Sequence, residues 1–357
     1  MGFTRTPLKR VDTFTHDGVH PEANQPPTPL PLAGEGWGEG KPKLAFKRYS
    51  ALPPYRTAAP MFHITLDCNG RPLELDRPRI SGILNITPDS FSDGGAFANA
   101  DAAIAHGLRL VEQGADLLDV GGESTRPGAD AVDAATEIAR VIPVIEGLAK
   151  ATRVPLSIDT SKPEVMRAAV AAGAGLINDV RALRGEGALD AAAALGVPVV
   201  LMHMQGDPRT MQDDPHYDDV VGEVHRFLTD RLFACQMAGI DKKKILVDPG
   251  FGFGKTLEHN LALLRNLQRF AEIAPVLAGL SRKGMIGTLT DRKEHAERAA
   301  GSAAAALIAV QNGAAIVRVH DVAITRDALA VWNAVGPAPS VSAKRAEPSK
   351  KSLWDDD

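Results

Sequence analysis

Cysteine is scarce in this chain of 357 residues, since only Cys68 and Cys235 are present. So few thiols do not make a disulfide framework or a cysteine-rich metal site, and we expect a reducing, cytoplasmic location. The N-terminus lacks the basic start and apolar run of a secretory signal. No apolar run reaches the roughly 18 residues of a membrane span, so no membrane partner is expected. The net charge of -4 gives no sign of a nucleic-acid partner.

Two terminal segments differ in composition from the rest of the chain. Residues 1–60 hold 10 of the 25 prolines and show no helical or strand period. Such a segment buries too little apolar surface to order itself, so we expect it to be disordered. Residues 337–357 are expected to form a flexible tail. A folded domain is therefore predicted over 61–336, and Met61 is a hypothetical alternative translation start.

The stretch LVDPGFGFGKT, residues 246–256, raises the question of a phosphate-binding loop. The pattern G-x-x-x-x-G-K-[ST] requires glycine at the position of Pro249, and the alternating glycines do not fit G-x-G-x-x-G either. Both nucleotide-binding interpretations are therefore disfavoured. What remains is an apolar strand that ends in Asp248 and is followed by a glycine-rich turn.

Seven further apolar runs have the same character and alternate with longer helical patterns. In chain order the eight runs are SGILNI, DLLDV, VPLSI, GLIND, VPVVLM, KILVD, PVLAG and AAIVRV. Nearly continuous apolar runs are typical of parallel strands buried on both faces. Eight strand–helix units predict a (β/α)₈ barrel, with a doubly wound open sheet as the alternative.

Local signals add detail to this α/β prediction. The segment FHITLDCNGRPLELD predicts an N-terminal β-hairpin that turns at Asn69–Gly70 and covers one end of the domain. Ser161 is predicted to cap the helix whose first turn contains Pro163. Gly173 and Gly239 stand where helices are expected to end.

Polar side chains stand at nearly every predicted strand end. In order these ends carry Asn85, Asp119, Asp159, Asn178–Asp179, Met202–His203 and Asp248, and the last two strands lead into GLSRKG and RVHD. Helix or turn capping is the better explanation for any one of them, and Asp179 and Asp321 are assigned to it. As a set they indicate a site, because the carboxyl ends of barrel strands share one rim.

The predicted site has a basic rim and an acidic floor. Arg126, Lys283, Arg318 and His320 would supply the rim, where basic groups suit a phosphate or diphosphate. Asp159, Asn178 and Asp248 would form the floor, where carboxylates and an amide can bind the edge of a planar heterocycle. An unpaired buried charge is costly, so the ligand should supply hydrogen-bond donors to these acids.

Seven motifs, in this order, resemble those of the dihydropteroate synthase family. They are GILNITPDSFSDGG, GADLLDVGGESTRPGA, SIDTSKPEVMRAAVAAGAGLINDV, LMHMQGDPRTMQ, ILVDPGFGFGKT, LSRKGMIG and IVRVHDV, between residues 80 and 335. The resemblance implies a pterin-binding (β/α)₈ barrel and a transferase of folate biosynthesis. Such an enzyme joins 6-hydroxymethyl-7,8-dihydropterin diphosphate to 4-aminobenzoate, releasing diphosphate and 7,8-dihydropteroate with the help of Mg²⁺. It further implies a homodimer and a reaction through a pterin methylene cation.

The resemblance also implies a role for each matching residue. The pterin would be bound by Asp159, Asn178, Met202, Asp248, Phe253 and Lys283. The diphosphate would be bound by Asn85, Thr125, Arg126, Arg318 and His320, with Asn85 also holding the metal. Phe91, Pro127 and Gly284 would form the 4-aminobenzoate pocket, and the catalytic residues would be Asp93, Lys283, Arg318 and His320. Many relatives carry serine where this chain has Gly284, so a hydroxyl donor is missing here.

Two other functions stay open at this point. A pterin-binding methyltransferase that serves a corrinoid would share the acidic floor but would need no basic rim. A non-catalytic relative would have lost loop or rim residues, whereas SFSDGG, STRPG, SRK and RVH are all present. For His203 a structural or rim position is expected, and core filling is the default for Met202, Met204 and Met211.

Overall fold

The structure is a computed structural model that describes residues 64–86, 96–124, 131–207 and 210–335. The terminal segments 1–60 and 337–357 and the alternative start at Met61 lie outside the described residues. Their assignments stay predictions. None of the helices within the described ranges has the length and hydropathy to cross a membrane.

Eight parallel strands form a closed barrel, which confirms the predicted (β/α)₈ architecture and rejects the open sheet. They are β3 (Arg79–Asn85), β4 (Leu117–Gly121), β5 (Leu156–Asp159), β6 (Leu176–Asp179), β7 (Val199–Met202), β8 (Ile245–Asp248), β9 (Val276–Ala278) and β10 (Ala314–Val319). The barrel closes where β10 pairs with β3, with Val319 opposite Gly82. Most strand residues are buried on both faces, as their continuous apolar runs require.

Helices pack around the barrel and bury the outward side chains of the strands. They are α1 (Ala96–Glu112), α2 (Ala134–Ala151), α3 (Pro163–Ala172), α4 (Ala188–Leu195), α5 (Val220–Met237), α6 (Leu257–Arg265), α7 (Gln268–Ala271), α8 (Gly284–Thr290), α9 (Ala299–Gln311) and α10 (Val322–Val335). Short 3₁₀ turns cover Lys242–Lys244 and His295–Arg298.

The predicted hairpin is present and closes the N-terminal end of the barrel. Strands β1 (Thr65–Asp67) and β2 (Pro72–Glu74) pair antiparallel around a turn at Asn69 and Gly70, whose φ angles are 58° and 78°. Its apolar side chains pack against residues that start the barrel strands, among them Leu117. The amino ends of the strands are therefore sealed.

One of the predicted helix signals is wrong. Gly173 does end α3 in the left-handed conformation, with φ of 118°. The N-cap of α3 is Lys162 without a side-chain bond, whereas the Ser161 hydroxyl donates to Asp179 Oδ1 at 2.5 Å. Ser161 therefore joins two strand ends instead of capping a helix, because Asp179 on the neighbouring strand offers a stronger, charged acceptor.

Candidate active site

A cavity of about 800 Å³ opens at the carboxyl ends of the barrel strands. The predicted site residues that line it are Asn85, Asp159, Phe253, Lys283, Gly284, Arg318 and His320. These side chains come from strands or loops far apart in sequence, and the barrel brings them to one rim. The cavity is large enough for a small organic ligand.

The floor of the cavity is organised by Arg318 on β10. Its Nη2 donates to Asp159 Oδ2 at 2.7 Å, and its Nε donates to Asp119 Oδ2 at 2.5 Å. Asn178 Nδ2 donates to the same Asp119 oxygen at 3.1 Å. The sequence predicts Arg318 at the rim, but its guanidinium reaches the floor and pairs with Asp159, an acid predicted to bind ligand. From the sequence, Asp119 is a strand end that is not assigned to the site.

The floor charges alter one another's ionisation. Burial raises the pKa of Asp159 to about 7, although the positive charge of Arg318 acts against this shift. Burial disfavours the charge on Arg318, but Asp119 and Asp159 outweigh burial and raise its pKa. The floor therefore holds a permanent cation between two acids, one of which titrates near neutral pH.

Lys283 lines the cavity, and Asp248, which is not among its lining residues, is buried close to Lys283. Asp248 is buried and its Oδ1 accepts from the backbone N–H of Gly250 at 2.7 Å. Burial raises the pKa of Asp248, and Lys283 opposes that rise. Lys283 Nζ donates to the carbonyl oxygen of Phe251 and lies 4.5 Å from the centre of the Phe253 ring. Burial lowers the pKa of Lys283 to about 8, with Asp248 acting in the opposite direction.

An apolar cluster lies beside these charges. Met202, Met204 and Met211 are buried together with Val180, and Phe253 packs against them. The core-filling expectation for the three methionines therefore agrees with the structure. Met202 and Phe253 belong to one cluster, and their contact with a pterin stays a prediction.

The upper part of the cavity carries His320 and Asn85. His320 Nδ1 lies 3.1 Å from Ser281 Oγ, which also accepts from the His320 backbone N–H at 3.1 Å.

The capping assignment of Asp321 is wrong, because its carboxylate accepts from Arg282 Nε and Nη2 at 2.9 and 2.6 Å. A guanidinium in a fixed fork is a better partner for a carboxylate than a helix N–H.

His203 and Lys255 are both buried, and Lys255 also lines the cavity. His203 packs edge-on against Phe227, with ring centres 4.8 Å apart, and its Nδ1 lies 3.0 Å from Lys255 Nζ. This agrees with a structural position for His203. From the sequence, Lys255 is named only within the phosphate-loop pattern, which does not predict that it is buried. The signal available was a lysine beside an apolar, glycine-rich strand end.

Several predicted site residues lie outside the described residues, namely Phe91, Asp93, Thr125, Arg126 and Pro127. Their assignments stay predictions. Within the described ranges no three His, Cys, Asp or Glu side chains are grouped as a protein metal centre would require. Asn85 Oδ1 and Asp159 Oδ2 both lie within 4 Å of the point where a Cβ on Gly121 would stand, at 3.6 and 3.9 Å.

The chain is similar to known pterin enzymes over the whole barrel. The family described as "Pterin binding enzyme" matches residues 81–320. Dihydropteroate synthase of Escherichia coli K12 is 51% identical over 270 residues, which are 75% of this chain and 95% of that protein. The enzyme of that name from Haemophilus influenzae is 52% identical over 274 residues, covering 76% and 99% of the two chains.

Solved structures show the same similarity. Dihydropteroate synthase of Xanthomonas albilineans with 4-aminobenzoic acid aligns with a TM-score of 0.74 and 64% identity, over 78% of this chain and 100% of that chain. The same enzyme in complex with 7,8-dihydropteroate aligns with a TM-score of 0.71 and 62% identity, over 77% and 100% of the two chains.

Proposed function

The chain belongs to the pterin-binding enzyme family, and from this premise we infer that it catalyses the dihydropteroate synthase reaction. It condenses 6-hydroxymethyl-7,8-dihydropterin diphosphate with 4-aminobenzoate to give 7,8-dihydropteroate and diphosphate, as a transferase of folate biosynthesis. The observation that carries this inference is a single cavity in which Asp159, Lys283, Arg318 and His320 meet at the barrel rim. The acids suit the donors of the pterin edge and the bases suit the diphosphate.

Pterin binding is assigned to the floor. Asp159, Asn178 and Asp248 accept from and donate to the amino-pyrimidinone edge, and Lys283 reaches the ring carbonyl and nitrogen. Met202 and Phe253, which pack beside the floor, provide the apolar surface for the ring. Burial makes these polar contacts strong, since an unpaired group there would lose its hydration without compensation.

Diphosphate binding is assigned to Asn85, Thr125, Arg126, Arg318 and His320. Arg318 is held between Asp119 and Asp159, so its guanidinium is oriented before substrate arrives. A preoriented cation stabilises charge that develops on the leaving diphosphate without reorganising at that moment, a contribution of about 3–4 kcal/mol for a well-placed donor. The floor carboxylates and Asp93 favour positive charge on the pterin methylene, and the arylamine of 4-aminobenzoate attacks it without needing a strong base.

Mg²⁺ is proposed to bind at Asn85. Hard oxygen donors are the ligands that Mg²⁺ prefers, and it takes few protein ligands when substrate phosphates are available. Asn85 lines the cavity, whereas Asp159 Oδ2 accepts from Arg318 Nη2 at 2.7 Å, so the side-chain oxygen of Asn85 would be the protein ligand and the substrate diphosphate would supply further oxygens. When bound, Mg²⁺ would supply positive charge to the diphosphate.

The 4-aminobenzoate pocket is assigned to Phe91, Pro127 and Gly284. Gly284 lines the cavity at the start of α8. The absence of a hydroxyl at this position should weaken binding of the 4-aminobenzoate carboxylate while leaving the reaction itself unchanged. We further propose a homodimer and a cytoplasmic location, the latter because both described cysteines are free and buried.

The test is the dependence of diphosphate release on 4-aminobenzoate. The purified chain is mixed with the pterin diphosphate and Mg²⁺, with and without 4-aminobenzoate, and free diphosphate is measured. Release should require both substrates and yield 7,8-dihydropteroate in equal amount. A chain that releases no diphosphate, or releases it at one rate with and without 4-aminobenzoate, would contradict the proposal. A corrinoid-dependent methyltransferase or a non-catalytic pterin binder would give one of these two results.

A further inference from the structure

The loop between β8 and α6, residues 250–254, has every carbonyl oxygen bound by a side chain. Lys255 Nζ donates to the oxygens of Gly250 and Phe253, Lys283 Nζ to that of Phe251, Gln212 Nε2 to that of Gly252, and Tyr217 Oη to that of Gly254. Five consecutive carbonyls are thus satisfied outside regular secondary structure. The conformation of this loop is therefore set by the side chains around it.

Lys255 is the donor that binds two of these carbonyls. The residue is only 3% exposed, and its Nζ lies 2.9 Å from each of the oxygens of Gly250 and Phe253 and 3.0 Å from His203 Nδ1. Its Nζ also lies 3.4 Å from the carbonyl oxygen of His203, so four acceptors from the loop and the end of β7 surround the amine. Burial and the positive charges of Lys255 and Arg184 lower the pKa of His203 to about 2, so the ring is neutral and can accept at Nδ1.

The burial of Lys255 is energetically unfavourable by itself. Lys255 stands two residues before α6, where the helix dipole disfavours a cation, and moving a charge out of water is costly. Burial, with the charge of Lys283, also lowers its pKa well below the usual value. The bonds of Lys255 to the loop and to His203, together with the negative charge of Asp248, offset this cost, which ties the residue to the shape of the loop.

The loop approaches the end of β7 too closely for any side chain at two positions. A Cβ on Gly250 would lie 1.9 Å from the carbonyl oxygen of His203, and a Cβ on Gly254 would lie 2.6 Å from that of Gln205. Both glycines also have positive φ angles, of 69° and 63°. Lys255 binds both sides of this contact, since it reaches His203 on one side and the loop on the other.

We propose that Lys255 is a positioning residue for the pterin site, acting through the loop that presents the Phe251 carbonyl and the Phe253 ring to Lys283. The inference rests on the proposed function, which places Lys283 and Phe253 against the pterin. Without the amine, the carbonyl of Phe253 loses its donor and that of Gly250 keeps only the N–H of Phe253, so the loop between them is held less firmly. Lys283 then loses the fixed carbonyl that orients it, while the parts of the site on β3, β4 and α8 stay in place.

The test replaces Lys255 by methionine, which keeps an unbranched chain but carries no charge. Calorimetry should show the dissociation constant for the pterin diphosphate rising at least tenfold. The KM for 4-aminobenzoate, measured with saturating pterin substrate, should change less than threefold. Lys244→Met is the matched control, because Lys244 Nζ also donates to a backbone carbonyl, that of Gly196 at 2.6 Å, but lies before β8 at the far end of the strand. The control should change neither value.

Two results would overturn the inference: pterin affinity within twofold of wild type, or an equal loss for both substrates, which a merely structural residue would give. If Lys255→Met lacks the native circular dichroism spectrum, Tyr217→Phe takes its place, because it removes one loop bond and little volume. Tyr217→Phe should weaken pterin binding about threefold, and an unchanged affinity would then overturn the inference. A wild-type chain without 4-aminobenzoate-dependent diphosphate release would instead contradict the proposed function.

Discussion

At the scale of single residues, the position of Arg318 matters more than its charge alone. One guanidinium edge faces Asp119 and another faces Asp159, which lie on adjacent strands. A planar fork with five donors can serve two carboxylates at once, whereas a lysine presents one point charge. The two acids therefore have a fixed separation before any ligand binds, and the pterin meets a floor whose charges are already balanced.

Gly284 offers a direct test of the aminobenzoate assignment. A Cβ at this position would meet nothing within 4 Å, so Gly284→Ser should fold normally and place a hydroxyl at the cavity wall. One added hydrogen bond of about 1 kcal/mol should lower the KM for 4-aminobenzoate about fivefold, as measured by steady-state kinetics. Gly284→Ala is the control, since it adds the Cβ without the donor. Equal effects of Gly284→Ser and Gly284→Ala on this KM would mean that the carboxylate of 4-aminobenzoate does not bind at this position.

Lys283 should make the reaction slower at alkaline pH, which would appear as an alkaline limb in the pH profile of kcat/KM. Its pKa is lowered to about 8, so the protonated donor is present below that pH and is lost above it. The value of kcat/KM for the pterin diphosphate reports groups of the free enzyme, and it should fall as the pH rises above about 8. Lys283→Arg should remove this limb, because arginine stays protonated. A limb that persists at the same pH in the arginine variant would have to come from another group.

The residues that sequence reasoning misjudged have one feature in common. Ser161, Asp321 and Lys255 each take a partner that is remote in sequence or hidden by the local motif. Local propensity places serine and aspartate at helix caps, but a charged partner brought near by the barrel prevails. Asp119 was visible as a strand-end acid, yet its pairing with Arg318 depends on a separation of 199 residues.

At the scale of elements, a partly buried cluster of charges joins the connection after β4 to the starts of α2 and α3. Lys162, at the start of α3, donates to Glu123 Oε2 at 2.5 Å and to Glu137 Oε2 at 2.6 Å. Glu123 Oε1 accepts from the backbone N–H of Val132 at 3.0 Å. Glu137 is fully buried in the first turn of α2. Glu123 thus holds the two ends of the connection from β4 to α2 together, and Lys162 in turn binds Glu123.

Lys162→Met should therefore destabilise the fold. The substitution leaves Glu137 as a buried charge without a partner, and breaking such a pair costs about 3–5 kcal/mol in unfolding free energy. Urea denaturation measures the loss. Adding Glu137→Gln to the same chain removes the unpaired buried charge and should recover more than half of the lost unfolding free energy. A loss below about 1 kcal/mol, typical of an exposed ion pair, would show that solvent reaches Glu137.

Elements were more predictable than side-chain partners. The barrel strands follow from apolar runs that only a sheet covered on both faces can bury, and the hairpin follows from an asparagine–glycine pair with positive φ. Side-chain caps and ion pairs depend on which strands become neighbours in the barrel. A single sequence does not specify this until the barrel is closed.

At the scale of the whole molecule, the two ends of the barrel have different roles. The hairpin seals the amino ends of the strands, and the cavity opens at the carboxyl ends. A Cβ on Gly175 would lie 2.1 Å from the carbonyl oxygen of Cys68 in the hairpin. Gly175→Ala should therefore displace the hairpin and lower the unfolding free energy by about 1–3 kcal/mol.

The same variant should leave catalysis intact, because Lys283, Arg318 and His320 line the cavity at the opposite end of the barrel. Its kcat, measured well below the melting temperature, should stay within twofold of wild type. Gly284→Ala, which meets nothing within 4 Å, is the control for stability. A large fall in kcat for Gly175→Ala would mean that the sealed end and the cavity are mechanically coupled.

The pairing of β10 with β3 has a consequence for synthesis on the ribosome. Strand β3 emerges early, but its partner is among the last elements to leave the exit tunnel. Until then β3 and β9 are open edges that can pair with other nascent chains, and Asp119 and Asp159 lack the Arg318 charge that balances them. Chains cut short before Ala314 should aggregate or require chaperones, and no partial barrel should show activity.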